Sequence, residues 1–109
     1  TVAQLSRARY ELEAQEFSLV QLLEIAYQQY EIAQAQVTAL ESGIVRHAES
    51  ALKVAEAAYR FGERGFLEVL DAQRVYRAAR VELIAARFEL ASAWVEMERL
   101  RASPRGKTE

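Results

Sequence analysis

The sequence has no cysteine, one proline and four glycines among its 109 residues. Without cysteine it can form neither a disulfide nor a thiolate metal site. Because proline and glycine are scarce, long stretches contain nothing that would interrupt a helix, and no segment has the pattern of a sheet. No stretch approaches the roughly 18 consecutive apolar residues that a membrane-spanning helix needs. These absences favour an all-α chain.

A basic surface is missing as well. Lysine and arginine number 14 against 16 aspartates and glutamates, which gives a formal net charge of −2. Such a chain has no positive field to attract nucleic acid, so we expect no nucleic-acid partner. Apolar residues make up 51% of the chain and charged residues 28%, proportions that are typical of one small folded domain.

Apolar residues recur at heptad spacing through a proline-free segment from about residue 3 to 61. Its two rows are Leu23, Tyr30, Val37, Ile44, Ala51 and Ala58, and then Ala26, Ala33, Leu40, His47, Val54 and Phe61. A second segment, from about 66 to 101, repeats the rule with Val69, Tyr76, Leu83, Leu90 and Met97, and with Ala72, Ala79, Ala86, Ala93 and Leu100. Alanine opposite a larger residue permits close helix packing.

The two segments are separated by the run from Gly62 to Gly65. Gly62 is suited to the left-handed conformation that ends a helix, and Gly65 to the position that begins the next one. Glu68 then falls at the third position of the second helix, with Asp71 one turn later, near the positive end of the helix dipole. The sequence predicts a long antiparallel coiled-coil helical hairpin over residues 1–102, with helices at about 3–61 and 66–101. Residues 103–109 lose the periodicity and are predicted to be a disordered tail.

Two features indicate that the hairpin is not self-sufficient. The first helix is the longer one, so Leu5, Leu12 and Leu19 have no predicted partner. Both helices carry further apolar residues outside the seam, which favours packing with more helices in a bundle or helical barrel. We therefore expect part of a larger protein or an obligate assembly. Gly43 interrupts the first helix and marks a bend or a change of packing partner, or else is a glycine that is tolerated at a crowded contact.

No arrangement of residues indicates catalysis or a resident metal or cofactor. His47 lies in a seam position with no second histidine or carboxylate at ligand spacing, so we interpret it as a core or interface residue. The arginines at 74, 77, 80 and 87 have Glu82 and Glu89 nearby and are interpreted as a solvated face. We expect no enzyme activity, because a smooth pair of helices offers no enclosed pocket.

The run from Ala58 to Arg74, with Tyr59, Gly62 and the Leu70-Asp71-Ala72 triplet in register, resembles the signature of TolC-type outer membrane efflux proteins. The run from Trp94 to Leu100 resembles the end of that family's terminal helical repeat. The sequence is most similar in character to the heavy-metal branches, which export cobalt, zinc and cadmium or copper and silver.

The resemblance implies a place in a Gram-negative cell. Three chains of the full-length protein, each with two hairpin repeats, form a homotrimeric tunnel of helices in the periplasm beneath a β-barrel in the outer membrane. The channel serves a tripartite export system of the resistance-nodulation-division type, with a periplasmic adaptor protein and an inner-membrane pump. This chain corresponds to the periplasmic hairpin of the second repeat.

The resemblance also implies roles for residues around the turn. Tyr59 and Arg64 match the gating positions, which hold the tunnel tip closed through bonds to a neighbouring hairpin. Glu68 and Asp71 match positions that form acidic rings at the aperture and favour cations. The turn residues Gly62, Glu63 and Gly65 match the adaptor contact, although Gly65 stands where the family has a polar residue.

An alternative interpretation rests on the heptads alone. It is a self-contained coiled-coil interaction module, such as the hairpin of a periplasmic adaptor, and it predicts two arms of matched length. If the chain is instead a hairpin separated from an efflux channel, we expect the isolated chain to form a homodimer, a four-helix bundle over part of its length, because its outward apolar rows bury against a second copy.

Overall fold

The computed structural model describes residues 1–102, so the predicted tail at 103–109 lies outside the described residues. Helix α1 spans Val2–Ala39, a π-helical turn spans Leu40–Ile44, α2 spans Val45–Arg60 and α3 spans Phe66–Arg101. No strand occurs within residues 1–102. The predicted all-α helical hairpin is therefore confirmed. None of the described helices is both long enough and apolar enough to cross a membrane.

Contacts divide the chain into two compact units. Unit 1 joins residues 1–31 with residues 92–102, and its buried residues are Ala26 and Leu100. Leu5 is 72% exposed and Leu12 is also exposed, as predicted. The same prediction is wrong for Leu19, which is half-buried. Next to it in sequence, Val20 and Leu23 border a shallow groove with Met97 and Arg101 of α3.

Unit 2 spans Ile32–Ala91 and contains the turn between α2 and α3. Its core is a cluster of Val37, Leu83 and Ala86, against which Leu40, Val45 and Leu90 pack. Along α3 the predicted seam is confirmed, since every one of its positions is buried or half-buried. Small and large side chains alternate there, so α3 packs closely against the helix before the turn.

The interruption predicted at Gly43 is a π-turn. The Val45 amide donates its hydrogen bond to the carbonyl of Leu40, five residues back, where an α-helix would use the residue four back. The Ser42 hydroxyl donates to the Thr38 carbonyl at 2.7 Å. A Cβ at Gly43 would meet nothing within 4 Å, so the alternative of a crowded contact is wrong.

The π-turn overturns part of the predicted seam. From its last residue onward, the predicted positions Ile44, His47, Ala51, Val54 and Phe61 are exposed, Val54 by 66% and Phe61 by 77%, whereas Ala58 is half-buried as predicted. Ala48 is buried in their place, with Val45, Leu52 and Ala55 half-buried. The reason is that one extra residue in the turn rotates the following helix by about 100°, the angle per residue in a helix of 3.6 residues per turn. His47 is therefore not a core residue within this chain, and its alternative interpretation as an interface residue stays a prediction.

Candidate functional site at the helical turn

The turn begins with a Schellman motif at the end of α2. Gly62 has φ of 76°, in the left-handed region. The Gly62 amide donates to the Tyr59 carbonyl at 3.0 Å, and the Glu63 amide donates to the Ala58 carbonyl at 2.8 Å. These two bonds satisfy carbonyls that the end of a helix leaves free. The prediction that Gly62 ends the helix in the left-handed conformation is confirmed.

Helix α3 begins directly after Gly65. The Glu68 amide donates to the Gly65 carbonyl at 3.3 Å, which places Gly65 at the N-cap position and Glu68 at the third helical position, as predicted. Gly65 has no positive φ, and a Cβ there would meet nothing within 4 Å. The turn therefore depends on a glycine at position 62 and tolerates a side chain at position 65.

An aromatic contact joins the two helices across the turn. The rings of Tyr59 and Phe66 lie 5.2 Å apart between centroids and are tilted by 55°. Such pairs contribute about 0.5–1.5 kcal/mol beyond their buried area. The contact fixes the ring of Tyr59 while leaving the residue half exposed. Phe66 was not among the predicted site residues, although two aromatic residues flanking a short turn are a signal that would have found it.

Two ion pairs follow the turn. Arg64 Nη1 donates to Glu68 Oε1 at 3.0 Å, one helical turn away, and Arg74 Nη1 lies 3.8 Å from Asp71 Oδ1. All four side chains are more than half exposed, so each pair contributes between 0 and about 1 kcal/mol to stability. These pairs matter for the site because they hold charged side chains next to the turn.

A groove between α2 and α3 collects most of the predicted site residues. It has a volume of about 730 Å³. Glu63, Arg64, Glu68 and Asp71 line it at the turn end. Its apolar lining is Ala48, Ala51, Val54, Ala55, Ala58, Leu67, Ala72 and Val75. Tyr59 is not part of the lining and lies instead against Phe66.

The groove is acidic and open. Three carboxylates line it against one guanidinium, so its turn end favours cationic or basic groups. Among residues 1–102 there is no group of three or more histidine, cysteine, aspartate or glutamate side chains placed to hold a metal ion. The turn end of the groove is therefore an exposed surface with an excess of negative charge.

The chain was compared with known proteins. Searches of curated proteins and of solved structures found no match. The family model described as outer membrane efflux protein matches residues 1–102, which is all of the chain that the structure describes. The chain therefore belongs to the outer membrane efflux protein family, whose members are transport channels and not enzymes.

Proposed function

We propose that this chain forms part of the periplasmic tunnel wall of an outer membrane efflux channel, with the turn between α2 and α3 at the gated tip. The observation that carries the proposal is the clustering of Glu63, Arg64, Glu68 and Asp71 at the turn end of one groove. Membership of the efflux family and the motif around the turn are the reasons for interpreting this cluster as part of an efflux channel.

Exposed apolar residues of α3 support the proposal that the chain forms part of a tunnel wall. Leu67, Val81 and Phe88 lie outside the seam at multiples of seven residues, and Phe88 is 69% exposed. A row at this spacing is the pattern of a second coiled-coil face. In a homotrimeric tunnel each hairpin has neighbours on both sides, which gives these side chains helices to pack against.

The ion pair between Arg64 and Glu68 supports the proposal of a gate at the turn. Its guanidinium is held by Glu68 within the same hairpin, and both groups are exposed. Because such a pair contributes little, Arg64 exchanges at small cost to an acceptor on a neighbouring hairpin. The exposed edge of Tyr59, whose ring Phe66 positions, supplies a second bond to the neighbour. The closed tip then depends on bonds between hairpins that open without unfolding either one.

The acidic aperture follows from Glu68 and Asp71. Repeated by three-fold symmetry, these carboxylates form rings that attract cations entering the tip. Arg64 and Arg74 offset part of this charge within each hairpin. We assign heavy-metal cations as the exported cargo, in line with the resemblance to the heavy-metal branches.

The turn itself is assigned to the periplasmic adaptor. Gly62, Glu63 and Gly65 are exposed at the tip, and the groove behind them presents an alanine-rich surface. Small residues let a partner helix approach the backbone closely. Through the adaptor the channel connects to an inner-membrane pump, which completes the tripartite system.

The test is made in a Gram-negative host that depends on this channel for metal export. Replacing the acidic pair, Glu68→Gln with Asp71→Asn, is expected to lower tolerance to zinc, cobalt, cadmium, copper or silver. Arg64→Ala is expected to leave the tip leaky and to raise sensitivity to a large hydrophilic antibiotic. Arg77→Ala, an exposed arginine of α3 outside the groove, is the matched control. If all variants behave like the control, the proposed tip function is wrong.

A further inference from the structure

Helix α3 has two flanks of opposite charge, one on each side of its seam. The members of each flank are separated alternately by three and four residues, so each flank forms one line along the helix. The acidic flank consists of Glu68, Asp71, Val75, Ala78, Glu82, Ala85 and Glu89. The basic flank consists of Leu70, Gln73, Arg77, Arg80, Ile84, Arg87 and Ala91. The acidic flank has four carboxylates and no basic residue, whereas the basic flank has three arginines and no carboxylate.

Beyond the tip, the hairpin itself does not neutralise the acidic flank. Within residues 1–102, neither Glu82 nor Glu89 has an ion-pair partner. Two open grooves run beside this flank, and the chain before the turn contributes only uncharged residues to them: Gln36, Ala39, Leu40, Ala48, Ala51, Val54, Ala55 and Ala58. On the basic flank, by contrast, Arg87 donates to Glu41 of the preceding π-turn at 2.5 Å, which offsets part of the positive charge.

The position of the two flanks on α3 determines where they lie in a tunnel wall. The seam packs on the helix before the turn, and the row of Leu67, Val81 and Phe88 lies on the opposite face, which we have assigned to a neighbouring hairpin. Because a helix turns by about 100° per residue, the two flanks lie roughly 100° to either side of the seam. With both other faces covered by helices, one flank faces the interior of the tunnel and the other faces the periplasm.

We infer that the acidic flank faces the interior of the tunnel, so that Glu82 and Glu89 determine its preference for cations beyond the tip. This inference rests on the proposed function. The acidic flank begins with Glu68 and Asp71, the carboxylates assigned to the aperture, and side chains on one line of a helix face the same way.

The spacing of the two glutamates favours a continuous field along the tunnel. Glu82 and Glu89 are seven residues apart, which is roughly 10 Å along α3 and close to the Debye length of about 8 Å at physiological ionic strength. Their electrostatic potentials therefore overlap, and the walls of a narrow tunnel concentrate the field further. The attraction for cations then extends from the aperture into the tunnel.

The test measures the ion preference of the assembled full-length channel in a planar lipid bilayer, from the reversal potential across a potassium chloride gradient. Glu82→Gln with Glu89→Gln is expected to lower the permeability ratio of potassium to chloride by about twofold or more, because each chain loses two carboxylates from the interior. Glu82→Asp with Glu89→Asp keeps the charges and is expected to keep the ratio. Arg77→Gln with Arg80→Gln removes two charges from the basic flank and is the matched control, with no change expected.

Introduced thiols distinguish the interior from the periplasmic side. This chain has no cysteine, so Glu82→Cys and Arg80→Cys each add a single thiol to it, in a channel whose other segments are also kept free of cysteine. At position 82, a positively charged methanethiosulfonate is expected to lower the permeability ratio further and a negatively charged one to restore it. At position 80, neither reagent is expected to change the ratio, although mass spectrometry shows that the thiol has reacted.

A response at position 80 that equals or exceeds the response at position 82 would overturn the inference. The proposed aperture is measured separately with Glu68→Gln and Asp71→Asn. If this tip variant lowers the cation preference and the variant with both Glu82→Gln and Glu89→Gln does not, the aperture is supported and the inference about the acidic flank is wrong. If only the second variant lowers it, the inference is supported and the acidic aperture is wrong.

Discussion

Arg64 donates a hydrogen bond to Glu68 at 3.0 Å, so the guanidinium at the tip of the hairpin already has a carboxylate partner within its own chain. The pair spans the start of α3 and lines the acidic end of the groove. Because both side chains are exposed, the ion pair is weak, and either charged group can exchange to another partner at little cost. Arg64 therefore contributes little to the stability of the fold, and the role that we propose for it is to help close the gate.

Arg64→Ala is expected to change the free energy of unfolding of the chain by less than about 1 kcal/mol, because the ion pair is exposed. Urea unfolding followed by circular dichroism measures the change, with Arg77→Ala as the matched arginine control. A loss of several kcal/mol from Arg64→Ala alone would show that the arginine is a structural residue of the turn.

Gly62→Ala is expected to destabilise the hairpin by about 1 kcal/mol or more, because a Cβ disfavours the left-handed backbone that Gly62 adopts. Gly65→Ala is the control, since that position has no positive φ and open space around its Cβ. We expect Gly65→Ala to be neutral or slightly stabilising. Equal effects of the two substitutions in thermal unfolding would contradict the Schellman geometry.

Leu83→Ala is expected to cost about 2–5 kcal/mol, because it opens a cavity in the core cluster with Val37 and Ala86. Phe88→Ala removes a larger side chain that is exposed in the single chain, so we expect a change of no more than about 0.5 kcal/mol in the monomer. Chemical denaturation at low protein concentration compares the two. The reverse order of sensitivity would mean that α3 packs through its other face.

The stability of the folded chain is expected to depend on pH through Glu96, which lies near the end of α3. Hydrogen bonds from Arg99, at 3.0 and 2.6 Å, hold the pKa of Glu96 below its usual value near 4.5. A carboxylate with a lowered pKa in the folded chain adds stability above its unfolded pKa, and that stability is lost as the pH falls through the folded value. Melting temperatures of the unaltered chain and of Glu96→Gln should therefore differ near neutral pH and converge in acid. A difference that grows in acid would contradict the assignment.

The isolated chain is expected to form a homodimer, because apolar residues such as Val81, Ile84 and Phe88 remain exposed in the single chain. Sedimentation velocity over a concentration series gives the oligomeric state. Phe88→Glu is expected to shift the equilibrium toward monomer, whereas Arg77→Glu, on the same helix, is the matched charge control. A monomer at high micromolar concentration would contradict this prediction.

Much of the fold follows from local pattern. Helix α3 was predicted at every seam position because its heptads run unbroken from Val69 to Leu100. The turn was predictable because glycine is the residue that tolerates the backbone of position 62. Along α3 and at position 62 a single physical requirement determines the structure, so the sequence there permits only one interpretation.

The seam of α2 was predicted wrongly because two requirements compete there. The heptad of α1 continues through Gly43 into Ile44, Ala51 and Val54, so periodicity alone favours a straight α-helix. The row beginning at Val45 is also apolar, and the observed register includes two contacts that lie far away in sequence: Val45 packs on the cluster that contains Leu83, and Glu41 bonds to Arg87. The pairing of Tyr59 with Phe66 was missed for another reason: the two aromatic residues that flank the turn were not considered together, although their geometry depends on how the turn aligns two helices.

The most direct test of the proposed function is the single-channel conductance of the assembled channel in a planar lipid bilayer. Tyr59→Phe combined with Arg64→Ala is expected to raise the resting conductance above that of the unaltered channel and of the Arg77→Ala control, because the bonds that close the tip are gone. Glu68→Gln with Asp71→Asn is expected to lower the preference for cations. A resting conductance and ion preference that stay the same in every variant would contradict a gate at this turn.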